Sequence, residues 1–173
     1  MCFNFHHLKV DYKDGKKWEL AKPDYVELKN LFKTWQEGAQ AGNGWNALFW
    51  CNHDQPRIVS RMGNEGKYWK ESAKMLAGAV HLMQGTPYIY QGEELGMTNA
   101  HFTSIDQYRD VESLNYYEIL LSEGKTKEEA LQTLAERSRD NSRTPMQWNA
   151  TENAGFSEST PWIQVEDLSL IHI

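Results

Sequence analysis

Asn52, His53 and Asp54 follow a run of large apolar residues and precede Pro56, which cannot continue a strand. An amide, an imidazole and a carboxylate packed this closely make a compact set of hydrogen-bonding groups suited to a polyhydroxylated substrate. Held rigidly at a strand end, such groups can favour a transition state over a ground state. The same residue types are also ordinary turn formers ahead of a proline, so a turn and a site both stay open from these residues alone. Glu93 and Glu94 invite a reading as paired acids, but successive side chains on an extended strand point to opposite faces and cannot flank one bond. They are read as structural residues at a strand exit. His6 and His7 fail as a metal pair by the same argument, and no second cluster has zinc-ligand spacing. No metal and no cofactor is expected, and a structural role is assigned to at least one of the two histidines.

The elements that must position Asp54 follow from the apolar pattern. Residues 1–5 read as a short buried strand, and Asp14-Gly15 as a turn in the polar segment 9–22. Asp24 with Glu27 predicts an acidic capping box opening a helix whose stripe is Leu28, Leu31, Phe32, Trp35 and Ala39 and which stops near Gly42. Residues 46–51 read as the second strand, about 68–83 as a helix with Ala73, Leu76, Val80 and Met83 inward, and 88–91 as the third strand. The order β-α-β-α-β, with crossovers long enough for parallel strands, makes this an α/β chain. Asp54 then sits at the C-terminal edge of a parallel sheet, where ligands bind in such folds. Beyond it, 93–109 reads as a long loop, 111–122 and 126–137 as helices, and 138–148 and 156–162 as ordered loop.

Composition excludes several classes. The 173 residues are 40% hydrophobic and 24% charged, which fits a globular chain with one core. A net charge of −6 argues against nucleic acid or an anionic membrane as the main partner, since both require clustered basic surface. No apolar run reaches the roughly 18 residues of a membrane span, and no leader pattern precedes a cleavage site, so a cytoplasmic chain is expected. Cys2 and Cys51 lie in apolar runs without C-x-x-C spacing and are read as small core residues. Seven Trp and eight Tyr suit either a large core or sugar stacking. The last residues, 168–173, read LSLIHI, which is also the translation of a transposase adapter used in sequencing libraries. They are taken as a non-native tail, leaving 1–167 as the protein proper.

Several stretches, in order, resemble the α-amylase superfamily of glycoside hydrolases in its α-glucosidase branch. FWCNHDQPR at 49–57 is similar to the family's motif at the end of the seventh barrel strand, and GTPYIYQGEELGM at 85–97 to the eighth strand and its exit. SRDNSRTPMQW at 138–148, AGF at 154–156 and PWI at 161–163 resemble the excursion after that strand. The resemblance implies a partial (β/α)8 TIM barrel, strands six to eight with their helices, plus a long helical and loop excursion. FNFHHLKVDY at 3–12 resembles the phosphotrehalase members of the branch, where the oligo-1,6-glucosidases carry a different segment. That implies a phosphorylated disaccharide as the small-molecule substrate, imported by a phosphotransferase system and cleaved with retention inside the cell.

The resemblance also implies roles. Asp54 is the third acidic residue of the catalytic set, binding hydroxyls of the sugar being cleaved and helping distort its ring, with His53 beside it on the same sugar. The nucleophile and the acid/base, about 5 Å apart in retaining enzymes, belong to the fourth and fifth strands, which are not in this sequence. Arg143 matches an arginine near the substrate pocket, and an ion pair with Asp140 or another acid is its equal alternative. Lys9 is the candidate for the phosphate, because an acidic protein needs local positive charge to hold a dianion. Lys13, Lys16 and Lys17 are read as a solvated turn. The rival readings are an oligo-1,6-glucosidase, separated by assaying isomaltose, and a non-catalytic barrel used for binding or assembly, separated by the absence of the upstream acids.

Overall fold

A computed structural model describes residues 1–165. The chain runs through β1 (Cys2–Phe3), a hairpin of β2 (Tyr12–Lys13) and β3 (Lys16–Leu20), α1 (Tyr25–Ala41), β4 (Asn46–Leu48), α2 (Ile58–Met62), α3 (Trp69–His81), β5 (Thr86–Pro87), α4 (Val111–Ser122) and α5 (Lys127–Arg137). The tail proposed for 168–173 lies outside the described residues.

β1, β4 and β5 form one parallel sheet with β4 central, Ala47 standing opposite Phe3 on one side and Thr86 on the other. The helical crossovers α1 and α3 make parallel pairing possible, as a tight turn could not. The expected third strand at 88–91 is corrected: pairing is confined to Thr86–Pro87, with one more bond from the Tyr88 N–H to the Leu48 carbonyl at 2.7 Å. The chain then turns away instead of extending, so Glu93 and Glu94 lie in turn, not strand. β4 is likewise shorter than its apolar run, because burial continues past the point where a neighbouring strand is available, whereas the expected buried strand at 1–5 is corrected: β1 is two residues long and exposed. Cys51 is buried as expected, whereas Cys2 is exposed.

Local chemistry sets the helix ends. The Asp24 carboxylate accepts from the N–H groups of Val26 and Glu27 at 3.0 and 2.9 Å, supplying the side-chain part of the cap alone, so the expected box is half formed. Thr126 and Glu129 do form a complete capping box at α5. Asp14 and Gly15 both take left-handed φ, 50° and 76°, the geometry that matches a two-residue hairpin turn to strand twist. Leu28, Phe32 and Trp35 of α1 face inward but are only half-buried. Leu76 and Val80 of α3 are at 4% and 2% exposure.

Two cores result. Leu8, Leu48, Trp50, Ile58, Met62 and Val80 pack between the sheet and α2 and α3. Trp18, Phe102, Tyr108, Tyr117, Leu120 and Leu134 pack around the hairpin, α4 and α5. The opposite face of the sheet is open, with a cavity of about 440 Å³ lined by Phe3, Phe5, Phe49, Tyr88, Ile89 and Tyr90 among others.

Candidate active-site corner

Past β4 the chain stays buried through Phe49, Trp50 and Cys51, each 3% exposed, and Trp50 Nε1 donates to the Leu76 carbonyl at 2.7 Å. The backbone then turns: the Asp54 N–H donates to Asn52 Oδ1 at 2.8 Å. Arg57 pins the far side of this corner. Its N–H donates to Asn99 Oδ1 at 2.8 Å, its Nη1 to the Gln91 carbonyl at 2.7 Å, and its guanidinium lies 5.2 Å from the Tyr90 ring centroid. Gly92 is required there, since its φ is 87° and an added Cβ would meet Met97 Sδ at 2.3 Å. The exits of β4 and β5 are therefore locked together, and the 52–54 corner is rigid without being covered.

Three of the four expected site residues meet. Asp54 Oδ1 accepts from Arg143 Nη2 at 2.9 Å, and its Oδ2 lies 3.1 Å from His53 Nε2. Arg143 Nε donates to the His53 carbonyl at 2.8 Å. Arg143 thus makes an ion pair, but chiefly with Asp54 itself; Asp140 Oδ1 is at 3.8 Å. Lys9 does not join them. It ends the 3-10 turn His6–Lys9, exposed and without an ion pair among the described residues.

Two residues of the corner had no role assigned from sequence. Arg139 Nη1 lies 3.5 Å from Asp54 Oδ1, while its Nη2 donates to Asp110 Oδ1 at 2.7 Å. Asp110 is the N-cap of α4 and accepts from the Ser113 N–H and Oγ at 3.1 and 2.9 Å. Burial pushes its carboxyl up, yet the bonds from Arg139 and Ser113 outweigh that and hold it below the usual carboxylate range. Its place immediately before the helix was the available signal. Lys17 corrects the solvated-turn reading: half-buried, it donates to Glu112 Oε2 at 2.7 Å, and Glu112 in turn lies 3.3 Å from Arg139 Nε. Burial lowers the Lys17 ammonium, partly offset by that carboxylate.

The residues set aside as structural behave differently from one another. His7 is buried, its Nε2 donating to the Phe49 carbonyl at 2.8 Å, and burial lowers its pKa to about 4. It is neutral at pH 7 and braces β4 from behind. Glu93 is half-buried and accepts from the Tyr90 N–H at 3.1 Å, with burial raising its pKa to about 7, whereas Glu94 is exposed.

A half-exposed carboxylate with donors around it thus stands past the C-terminal end of β4 in a parallel sheet, and the wider comparison defines the class. Residues 1–170 match the α-amylase catalytic domain, and the chain belongs to that family, with the fold of a partial barrel. It is 64% identical to trehalose-6-phosphate hydrolase of Escherichia coli (strain K12), over 96% of this chain and 30% of that one. The solved trehalose-6-phosphate hydrolase of Bacillus licheniformis superposes with a TM-score of 0.93 at 64% identity, over 95% of this chain and 30% of that one. An oligo-1,6-glucosidase of Parageobacillus thermoglucosidasius is 52% identical over 95% of this chain and 29% of its own length. The chain spans about 30% of the length of the relatives it matches.

Proposed function

We propose that this chain is the part of a retaining α-glycosidase that carries barrel strands six to eight, β1, β4 and β5 in that order, and that the whole protein hydrolyses α,α-trehalose 6-phosphate to glucose and glucose 6-phosphate. The observation that carries the substrate assignment is the higher identity with trehalose-6-phosphate hydrolases than with the oligo-1,6-glucosidase. In this reading Asp54 accepts hydrogen bonds from hydroxyls of the sugar whose bond is cleaved: of its about four lone-pair positions Arg143 and His53 take two and Arg139 reaches a third only loosely, at 3.5 Å. Arg143 fixes both Asp54 and the His53 backbone, so the pair presents one geometry to the ring. The sugar then distorts toward the flattened, oxocarbenium-like state against a carboxylate that is already in place. Lys9 is assigned to the phosphate, because it is an exposed cation, without an ion pair among the described residues, at the end of the turn that follows β1. The reaction is assigned to the cytoplasm, where a sugar once phosphorylated is retained because it does not diffuse across a membrane; among the described residues no helix is long and apolar enough to cross one.

The test is a full-length protein carrying this segment, assayed in parallel on trehalose 6-phosphate and isomaltose. Faster turnover of trehalose 6-phosphate supports the assignment. Preference for isomaltose moves it to the oligo-1,6-glucosidases, and no turnover of either, with the upstream acids missing, makes it a binding barrel. The isolated 173 residues are expected to be inactive on both substrates.

A further inference from the structure

Arg139 and Arg143 leave the same 3-10 turn, Arg139–Ser142, and both guanidinium groups reach the space around Asp54. Two like charges so close need a counter-ion. With only Asp54 available, both would close on it and occupy the lone pairs that a sugar hydroxyl must reach. Asp110 supplies the second carboxylate. Its Oδ1 lies 2.7 Å from Arg139 Nη2 and 3.8 Å from Arg143 Nη1, against 3.5 Å from Arg139 Nη1 to Asp54. Arg139 is thereby drawn off Asp54, and Glu112, 3.3 Å from its Nε, pulls the same way.

The anchor is rigid because it is built into a helix end. The Asp110 side chain is 3% exposed and is fixed by Ser113, whose Oγ gives its one proton to Asp110 and accepts from Ser138 Oγ at 2.7 Å. The backbone of the anchor is fixed as well: the N–H groups of Arg109 and Asp110 donate to Asp140 Oδ2 at 2.7 and 2.8 Å. Asp140 belongs to the very turn that carries the two arginines.

We propose that Asp110 is a positioning residue that keeps Arg139 from closing on Asp54, so that the carboxylate at 54 stays open to the sugar. This rests on the reading of Asp54 as a sugar ligand. The test uses the full-length protein. Asp110→Asn retains a side chain able to cap α4 but gives up the charge that holds Arg139. It is expected to lower kcat/KM about 10- to 100-fold, the scale of a small misplacement at a reacting centre. Adding Arg139→Gln to Asp110→Asn is expected to restore most of that loss, which no purely structural role for Asp110 would produce. Ser113→Ala, which loosens the Asp110 carboxylate but leaves its charge beside Arg139, is expected to lower kcat/KM less than Asp110→Asn does. A wild-type kcat/KM for Asp110→Asn, or a double variant no better than the single, overturns the positioning role. Asp54→Asn separates the two levels: if it turns over normally, the sugar-ligand reading itself is lost, whereas an inactive Asp54→Asn beside a normal Asp110→Asn removes only the role of Asp110.

Discussion

Asp11 and Asp54 each lie between two arginines, and the two carboxylates differ in how far water reaches them. Asp11 lies between Arg61 and Arg137, with side-chain exposures of 3%, 2% and 3%. Asp54 lies between Arg143 and Arg139, at 41%, 23% and 30%. In the first cluster the donors are turned inward. Arg61 gives Nε and Nη2 to the Asp11 carboxylate and Nη1 to Gln55, Arg137 Nη2 bonds the Asp11 carbonyl, and the Tyr12 ring lies 5.6 Å from both guanidinium groups. In the second, the carboxylate keeps open positions toward solvent. The same ionic chemistry therefore fastens the 8–12 segment to α2 and α5 where it is dry, and leaves a half-exposed carboxylate where it is wet.

The closed cluster is the place to break the fold. Removing one partner of a buried ion set strands the others, so Asp11→Ala, which leaves two desolvated guanidinium groups, is expected to cost about 3–5 kcal/mol. The shift of the urea midpoint in a full-length protein measures it. The pH dependence has a definite sign. Burial raises the Asp11 carboxyl, but the hydrogen bonds and charges of Arg61 and Arg137 outweigh it and hold the folded group below its ordinary value. The stabilisation is then fully present above the unfolded carboxylate pKa and is lost as pH falls through the folded one. Wild type should lose more stability in acid than Asp11→Asn does, and parallel acid profiles would show that the cluster is not coupled to folding.

His7 extends the contrast to a buried group with no counter-ion among the described residues. Its folded pKa of about 4 lies below the ordinary 6.5, with burial as the leading cause, so its contribution is complete above pH 6.5 and is lost as pH falls toward 4. The loss across that window is on the order of 3 kcal/mol, and a His7→Gln protein should lack it even if it is less stable at pH 7. Glu93 works in the opposite direction. Its folded value near 7 stands above the ordinary one, so it favours the folded state at low pH and loses that contribution as pH rises through 7. A Glu93→Gln variant is the control that keeps the two apart.

The open cluster is where activity should change without the fold. Asp54→Ala in a full-length protein is expected to lower kcat by about 10²- to 10³-fold, the cost of removing one preorganised group at a reacting centre. Its effect on stability should stay below about 1 kcal/mol, as for other half-exposed ion pairs. A large fall in the unfolding midpoint would place Asp54 with Asp11 as a fastening residue and erase the distinction.

What the sequence made legible was what neighbours along the chain decide. The apolar stripe of α1, its cap at Asp24 and the helix at Val111–Ser122 are written within a few residues of themselves. The corner at Asn52 to Asp54 was legible as a strand end before a proline. Its meeting with Arg143, 89 positions away, came from the family motif and not from spacing. Strand lengths were not legible, because pairing at Thr86 depends on where β4 stops. Asp11 was missed altogether: it sits in a polar segment, and its partners are 50 and 126 positions away. Arg139 lay inside the motif already singled out, but nothing local tells an arginine that pairs with Asp110 from one that faces water.

The smallest expected effect concerns the cations, where the open and closed patterns recur. Lys17 is half-buried and engaged with Glu112, so its charge is largely committed to holding the hairpin against α4. Lys9 is exposed, with no ion pair among the described residues, and so is the one of the two with its charge to offer a dianion. Lys9→Ala in a full-length protein is expected to raise KM for trehalose 6-phosphate about tenfold, roughly the 1.4 kcal/mol that one charge-assisted hydrogen bond to phosphate supplies. Unphosphorylated trehalose should bind as before. Equal losses for both sugars would remove Lys9 from the phosphate site. A selective loss in Lys17→Ala, in place of Lys9→Ala, would mean that Glu112 releases its lysine to the substrate.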